Sequence, residues 1–228
     1  MKTRIRIGLC LLMLIPVTGK SQLNMEELKS VRKIVVSGAI QLELRRSDDY
    51  SLELKSPDLE MECLEHGIEN GTLTLKLKSS FDCSGEVKAV LKIPEIRYIE
   101  LMSKAELSTF NLLKTDSLSV IQRSASKSYL DLDVNYLDVQ LSEGSFLSAS
   151  GYVVNQHISV TTKANYSCLE LEAENTEISA SLLGMAKICV TDTLRASANS
   201  NSYILYDCVP DHTELKESLG GKIDKNTD

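Results

Sequence analysis

From residue 96 onward the sequence repeats one pattern with a period of about 20 residues, a length typical of stacked repeat units. An apolar residue opens a run in which apolar and polar residues alternate, a small or polar turn follows, and a second alternating run begins. Two short strands per unit at a fixed period are typical of a β-solenoid. One unit has too few apolar groups to bury its own inner face, so it must stack on the next. The units open at Ile99, Leu118, Leu137, Ile158, Ile178 and Leu194.

The period therefore predicts an all-β solenoid whose coils cover residues 96–210. Stacking should bring Leu118, Leu137 and Ile158 into one vertical column of the buried interior. Leucine-rich repeats have a similar period, but their LxxLxL pattern is missing. An ordinary β-sandwich is the remaining alternative, and it would show less regular spacing.

The segment 22–95 has the pattern of a strand-rich N-terminal cap on this solenoid. Asn70-Gly71 is the strongest hairpin signal in the chain, and it predicts antiparallel strands between about 33 and 93. Residues 24–31 favour one short helix with Asn24 as its N-cap. At the other end, the polar C-terminal tail 211–228 is expected to fray.

Residues 1–21 have the pattern of a secretory signal peptide. Three basic residues precede an apolar run that is too short to span a bilayer, and small residues follow it. We therefore expect an exported protein, located in the periplasm, on the outer cell surface or outside the cell. An uncleaved membrane anchor and a lipid-modified Cys10 are the alternatives. No later segment is apolar enough for a transmembrane helix.

The net charge argues against nucleic acid as a partner. The formal charge is −7, and no long basic run interrupts the acidic balance. Binding to a phosphate backbone needs clustered Lys and Arg side chains, which release counterions from the nucleic acid.

Cysteine spacing predicts two candidate disulfides. Removal of the signal peptide leaves five cysteines, so at least one has no partner within the chain. Residues one coil apart lie about 4.8 Å from each other, which is within the separation that a disulfide tolerates. The candidate pairs are Cys63 with Cys83 and Cys168 with Cys189, and free thiols are the alternative for both.

The sequence contains no strong catalytic or metal-binding motif. There is no GxSxG sequence and no glycine-rich phosphate loop. Cys63 and His66 form a lone CxxH, and a zinc site needs more ligands than this pair. We therefore expect no enzyme activity, no cofactor and no metal.

Two pairs of carboxylates follow the alternation of a strand. Asp131 and Asp133, like Glu170 and Glu172, are two residues apart and so share one face. They are interpreted as the solvated face opposite the buried leucines, with a cation or substrate site as the alternative. No basic residue is predicted at repeat spacing beside them.

Aromatic residues recur just after the turns. Tyr129, Phe146, Tyr166 and Tyr203 precede or flank apolar residues that should point inward, so parity places these four side chains outside. Stacked coils would align them as a ladder. The ladder could stabilise the solenoid through cross-strand pairs or offer a platform for sugar rings or a partner protein.

Four segments carry a resemblance to a known family. RKIVVSGAIQLELRR, IENGTLTLKLK, VKAVLKIPEIRYIELMSKAEL and SYILYDCVP occur in the order typical of the head GIN domain family, whose members are described as putative auto-transporter adhesins. The resemblance covers about 32–210. It implies a single-stranded right-handed β-helix with a strand-rich cap in an exported protein of a Gram-negative bacterium. The family places Gly-Ser-Gly at each turn, whereas this chain has sequences such as Ser124-Ala125-Ser126.

These observations predict a non-enzymatic, exported cell-envelope or surface protein. It would act as an adhesin-like module that binds an unknown macromolecule, either a protein or a glycan. Two alternatives stay open. One is a β-helix enzyme that acts on polysaccharide through Asp131, Asp133 or Glu170 with a basic residue. The other is a structural protein whose solenoid stacks on itself.

Overall fold

The structure is a computed structural model that describes residues 25–55, 61–78, 83 and 85–227. The predicted signal peptide, 1–21, and the predicted N-cap Asn24 lie outside these residues. One short α-helix, one 3-10 helix at Met61–Cys63 and sixteen strands are found in the described part of the chain. Their bounds are α1 Met25–Ser30, β1 Lys33–Ser37, β2 Ile40–Arg46, β3 Ser51–Lys55, β4 Leu64–Glu69, β5 Thr72–Leu77, β6 Val87–Ile93, β7 Tyr98–Met102, β8 Glu106–Thr109, β9 Leu113–Gln122, β10 Lys127–Leu141, β11 Phe146–Val160, β12 Asn165–Ala180, β13 Met185–Ala198, β14 Tyr203–Asp207, β15 His212–Glu217 and β16 Lys222–Lys225.

The strands form a β-solenoid of about seven turns, which confirms the predicted fold class. Consecutive strands from β9 to β13 pair in parallel, each with the strand one coil later in the sequence. The aliphatic side chains between the two sides of each coil form one continuous core. Burial against the neighbouring coil supplies the apolar contacts that a single coil lacks.

The apolar column predicted from the repeat combines two real columns. Leu118 and Leu137 are aligned, but the next residue in their column is Gln156 rather than Ile158. Ile158 lies in the adjacent inward column, beside Val139. Both columns point inward because they are two residues apart on the same strand. The repeat length was therefore predicted correctly, and the assignment of Ile158 to the column was wrong.

Each long strand bends near its middle and so contributes to both sides of a coil. In β10 the alternation of buried and exposed residues breaks at Asn135 and Tyr136, which are both exposed. Before this bend the strand belongs to one side of the solenoid, and after it to the other. The turns between strands close the opposite edge. This geometry gives the molecule two lateral faces, one before and one after the bend.

The turns stack on one another in a left-handed backbone conformation. In most of them two consecutive residues have positive φ, as at Thr162 (φ 50°) and Lys163 (φ 61°). The amide of the second residue donates a hydrogen bond to the next turn, for example from Lys163 N to the carbonyl of Leu182 at 3.0 Å. Most of these positions hold a residue other than glycine. The left-handed region is costly for side chains, most of all for β-branched ones.

Replacing Thr162 with glycine should therefore stabilise the protein. Glycine removes the left-handed strain of about 1–2 kcal/mol but gives the unfolded chain more conformational entropy, which leaves a net gain of about 0.5–1 kcal/mol. Urea denaturation of Thr162→Gly checks this value. Ser159→Gly is the matched control, because Ser159 lies within strand β11 and its replacement should lower stability. A loss of stability in both variants would contradict the argument.

The N-terminal cap contains the predicted hairpin. Strands β4 and β5 are antiparallel around a turn in which Asn70 has φ 49° and Gly71 has φ 72°, as the Asn-Gly signal predicted. Strands β3 and β6 are antiparallel as well. The expectation of antiparallel strands holds only for these two pairs, since β1 pairs in parallel with β5 and β2 with β6. Helix α1 extends over this end, and it buries Leu28 there.

The polar tail is ordered rather than frayed. Strand β15 pairs in parallel with β13, and β16 pairs with β14, so the tail adds a further coil. Strand pairing uses backbone groups, which polar residues possess as apolar ones do. All six side chains of β15 are nevertheless exposed, and Glu217 occupies an inward position of this last coil. Inward-pointing charges of this kind disfavour the pairing of a sheet edge with another molecule.

Candidate functional site

The structure pairs the cysteines differently from one of the two predictions. Cys63 and Cys83 form a disulfide, as do Cys189 and Cys208, while Cys168 is a free, buried thiol. The predicted pair Cys168–Cys189 is therefore wrong. Cys168 lies in an inward column with Ile188, whereas Cys189 is aligned with the outward Glu172. Their side chains leave the sheet on opposite faces, so no disulfide can join them.

Burial gives Cys168 a distinctive titration behaviour. Desolvation raises the pKa of its thiol to about 12. In the unfolded chain the thiol ionises near its ordinary pKa of about 8.5–9, so the unfolded state releases a proton at lower pH than the folded state. The contribution of the neutral Cys168 thiol to the free energy of unfolding is fully present below about pH 8.5. Above that pH it decreases by up to about 1.4 kcal/mol per pH unit.

We expect wild-type protein to lose about 1.5 kcal/mol more stability between pH 8 and pH 10 than Cys168→Ala does. Urea denaturation at the two pH values measures the difference. The folded wild type should also resist a thiol-specific alkylating reagent at pH 8 and react in urea. Rapid labelling of the folded protein would contradict the buried, neutral thiol.

Tyr166 is a second correction, because its side chain points inward and is fully buried. It aligns with Leu147 of the preceding coil rather than with Phe146. The additional residue of this coil enters later, between Ser167 and Glu170, where the register shifts as in a β-bulge. The Tyr166 hydroxyl donates a hydrogen bond to Gln156 Oε1 at 2.8 Å, which compensates for its burial.

The other three aromatic residues lie outside but do not form a continuous ladder. The rings of Tyr129 and Phe146 are in contact on adjacent coils, with centroids 5.9 Å apart. Phe146 and Tyr203 share one outward column, but Asn165 and Met185 lie between them. The aromatic surface is therefore a local pair at Tyr129 and Phe146.

A shallow groove crosses three coils beside this aromatic pair. Small side chains form its floor, two on the middle coil and one on the next, and the larger side chains of Tyr129, Asp131 and Glu170 lie on the coils to either side. We call this surface the serine groove, and it comprises Tyr129, Asp131, Ser148, Ser150, Ser167 and Glu170. The pairing aligns Tyr129 with Ser148 and Ser167, and Asp131 with Ser150 and Glu170. The β-bulge of strand β12 lies at its edge, a position that bulges often take beside binding sites.

The outward carboxylates of this face divide into paired and unpaired groups. Asp133 Oδ2 accepts a hydrogen bond from Lys114 Nζ at 2.6 Å. Lys114 occupies the aligned position on the preceding coil, so the expectation of no basic residue at repeat spacing is wrong. The carboxylates of Asp131 and Glu170, in contrast, have no hydrogen-bond or ion-pair partner among the described residues. Two free acceptors therefore border the serine floor.

The predicted parity of the acid pairs holds for Leu130, Leu132 and Leu171, which are buried. Leu169 is the exception, since the bulge turns it outward into the wall of the serine groove. The three serines of the floor were not predicted from the sequence. Ser148 and Ser167 occupy the same position in successive coils, so the repeat itself contained a signal for them.

The opposite lateral face has a different character. Tyr136, Asn155, Asn175 and Thr193 form one outward column across four coils, which we call the amide ladder. Tyr136 is 57% exposed, compared with 44% for Tyr129. The next outward column contains acidic and basic side chains in turn, with Arg195 near Glu214 at 3.7 Å. This face offers no pair of unpartnered carboxylates beside an aromatic contact among the residues described.

In the described part of the chain, no three His, Cys, Asp or Glu side chains lie close enough together to bind a metal ion. Cys63 of the CxxH sequence is bound to Cys83, so it has no thiolate to offer a zinc ion.

The family model described as "putative auto-transporter adhesin, head GIN domain" matches residues 30–210. The chain belongs to this family. Its head GIN domain thus contains both lateral faces, both disulfides and most of the solenoid. No protein with a curated description matches the chain significantly.

Several crystal structures share the fold of this head GIN domain. One is a putative adhesin from Bacteroides fragilis, with a TM-score of 0.80 and 18% identity, which aligns over 88% of this chain and 94% of that chain. Another is a putative adhesin from Parabacteroides merdae, with a TM-score of 0.68, 16% identity and coverage of 86% and 92%. A third, from Parabacteroides distasonis, is named a putative lipid binding protein, with a TM-score of 0.66, 16% identity and coverage of 86% and 93%. At these identities the likeness concerns the fold alone.

The head GIN domain also lacks a membrane-spanning helix in its described part. Among those residues, no helix has the length and apolar character needed to cross a bilayer.

Proposed function

We propose that this head GIN domain is an exported, non-enzymatic, adhesin-like module that binds a macromolecule through a lateral face of its solenoid. The observation that carries the proposal is the serine groove, an open surface that runs across three successive coils. An extended, open groove suits a chain molecule that continues beyond the contact, whereas small-molecule sites enclose most of their ligand.

The two disulfides support the exported location. Disulfides form and persist in oxidising compartments such as the periplasm or the extracellular space. Cys63–Cys83 and Cys189–Cys208 each join residues about one coil apart, near the two ends of the described chain. The signal-peptide pattern of residues 1–21 and the family membership agree with this location.

The arrangement of charges favours binding over catalysis. An enzyme that cleaves polysaccharide needs an acid and a base held at the scissile bond. Beside the serine groove, Lys114 is engaged by Asp133. Lys187 follows Ser167 in the same column on the next coil, but its side chain is exposed and is not paired with Asp131 or Glu170. Self-stacking is disfavoured by the charged last coil, where Glu217 takes an inward position.

The hydroxyl floor of the groove is unfavourable for a lipid acyl chain, the ligand class in the name of one structural relative.

The proposal is tested by incubating the purified protein with arrays of immobilised glycans and extracellular proteins. We expect saturable binding to at least one macromolecule, without release of cleavage products. The absence of saturable binding to every class, or turnover of a bound polysaccharide, would contradict it. Secretion is tested separately by sequencing the N-terminus of the protein exported from a bacterial host, which should begin near residue 22.

A further inference from the structure

We infer that the serine groove is a binding site for a neutral glycan chain, with Tyr129 as the platform for one sugar ring. The inference rests on the proposed binding function and specifies its ligand class. Sugar rings present apolar faces of C–H groups together with hydroxyls that both donate and accept hydrogen bonds. A site for them needs an exposed aromatic face and nearby polar groups.

The aromatic requirement is met by Tyr129. Its side chain is 44% exposed, and the contact with Phe146 holds the ring from the adjacent coil. A ring fixed in this way loses little conformational entropy when a ligand stacks on it. The exposed ring lines the groove together with the serines of its floor.

The polar requirement is met by carboxylates that have no hydrogen-bond or ion-pair partner among the described residues. The carboxylates of Asp131 and Glu170 are aligned two coils apart, on either side of Ser150, so their backbones are separated by roughly 10 Å. Carboxylates accept hydrogen bonds strongly, and sugar hydroxyls can supply the donors. The hydroxyls of Ser148, Ser150 and Ser167 add groups that can donate as well as accept.

Charge and backbone geometry separate a neutral glycan from other chain molecules. The carboxylates of Asp131 and Glu170 outnumber the one adjacent ammonium group, that of Lys187 on the coil after Ser167. The groove therefore repels phosphate and uronate groups on balance, which disfavours nucleic acids and acidic polysaccharides. An extended peptide binds chiefly by adding a strand to an open sheet edge. The strands under the groove are paired with their neighbours on both sides, so the ligand meets side chains instead of a free edge.

The test measures binding of the purified protein to three soluble probes by isothermal titration calorimetry. The probes are neutral hexose oligomers, galacturonate oligomers and a lysine-rich peptide. Each is titrated into wild type, Tyr129→Ala, Asp131→Asn and Glu170→Gln. Tyr136→Ala is the matched control, because it removes an exposed tyrosine from the amide ladder instead. Thermal unfolding of every variant verifies that the solenoid is intact.

We expect a neutral oligomer to bind and Tyr129→Ala to weaken its affinity at least about tenfold, since ring stacking and the buried area are lost together. Asp131→Asn and Glu170→Gln should weaken it less, and Tyr136→Ala should leave it unchanged. Binding that survives Tyr129→Ala but is lost in Tyr136→Ala would overturn the inference and leave the proposed function standing. So would binding of the galacturonate or the peptide alone. If no probe binds and no array ligand binds, both proposals fail.

Discussion

Replacing Cys189 and Cys208 together with alanine should lower the free energy of unfolding by about 3 kcal/mol, the entropic contribution of a disulfide that closes a loop of this length. The disulfide joins strand β13 to the residue that follows β14. The variant is best made with Cys168→Ala in both it and its reference, because the free thiol could exchange with a disulfide once the protein unfolds.

The loss of stability should affect the last coils before it affects the rest of the solenoid. In a solenoid each coil contacts only its neighbours, so a missing constraint near the C-terminus weakens the last coils most. Hydrogen exchange should therefore lose protection in β14 and β16 first, while β10 and β11 keep theirs. A variant in which all coils lose protection equally would contradict this account, and so would one whose stability is unchanged.

Replacing Gly151 with alanine should cost about 3–5 kcal/mol, because it combines backbone strain with overpacking. Gly151 has φ 107°, a conformation that side chains rarely adopt. A Cβ atom at this position would also lie well inside van der Waals contact with the backbone carbonyl of Leu132 on the adjacent coil. Neither atom belongs to a flexible side chain, so the strain can be relieved only by separating two paired coils.

Gly144→Ala is the matched control for this effect. Gly144 also has positive φ, 70°, but no atom lies within 4 Å of an added Cβ. Its replacement should cost only the left-handed strain of about 1–2 kcal/mol. Urea denaturation of the two variants separates the contributions. Equal losses of stability would show that the close approach to Leu132 does not matter.

Much of the candidate site could be predicted from the sequence. The face of the strand on which each residue lies could not be predicted at every position. The repeat places Tyr129, Phe146 and the acid pairs after successive turns, and this predicted the correct face for them. The same reasoning placed Tyr166 outside, because it took Leu169 as an inward residue, whereas the bulge between Ser167 and Glu170 turns Leu169 outward. A shift of one residue exchanges the two faces of a strand, so one misplaced insertion reverses every assignment that follows it.

Disulfide pairing likewise depends on the face of the strand on which each cysteine lies. Cys168, Cys189 and Cys208 follow one another at intervals close to one repeat, so both neighbouring pairs fit the period. The extra residue in β12 and the outward position of Cys189 decide between them. The spacing of cysteines predicts which coils are joined, whereas the direction of each Cβ decides which thiols can meet.

The amino-acid sequence determined the coil length, the two alternating runs in each coil, the hairpin at Asn70-Gly71 and the family. The two runs were predicted as separate short strands, whereas from β10 to β13 they form one long strand in each coil. These properties follow from local alternation and turn chemistry, which neighbouring residues encode together. The tertiary structure decided which inward columns align, which side chains form the serine groove, which cysteines pair and that the polar tail adds a coil. Those outcomes depend on single-residue insertions and on backbone pairing between coils, and a polar or apolar residue can satisfy the same backbone hydrogen bonds.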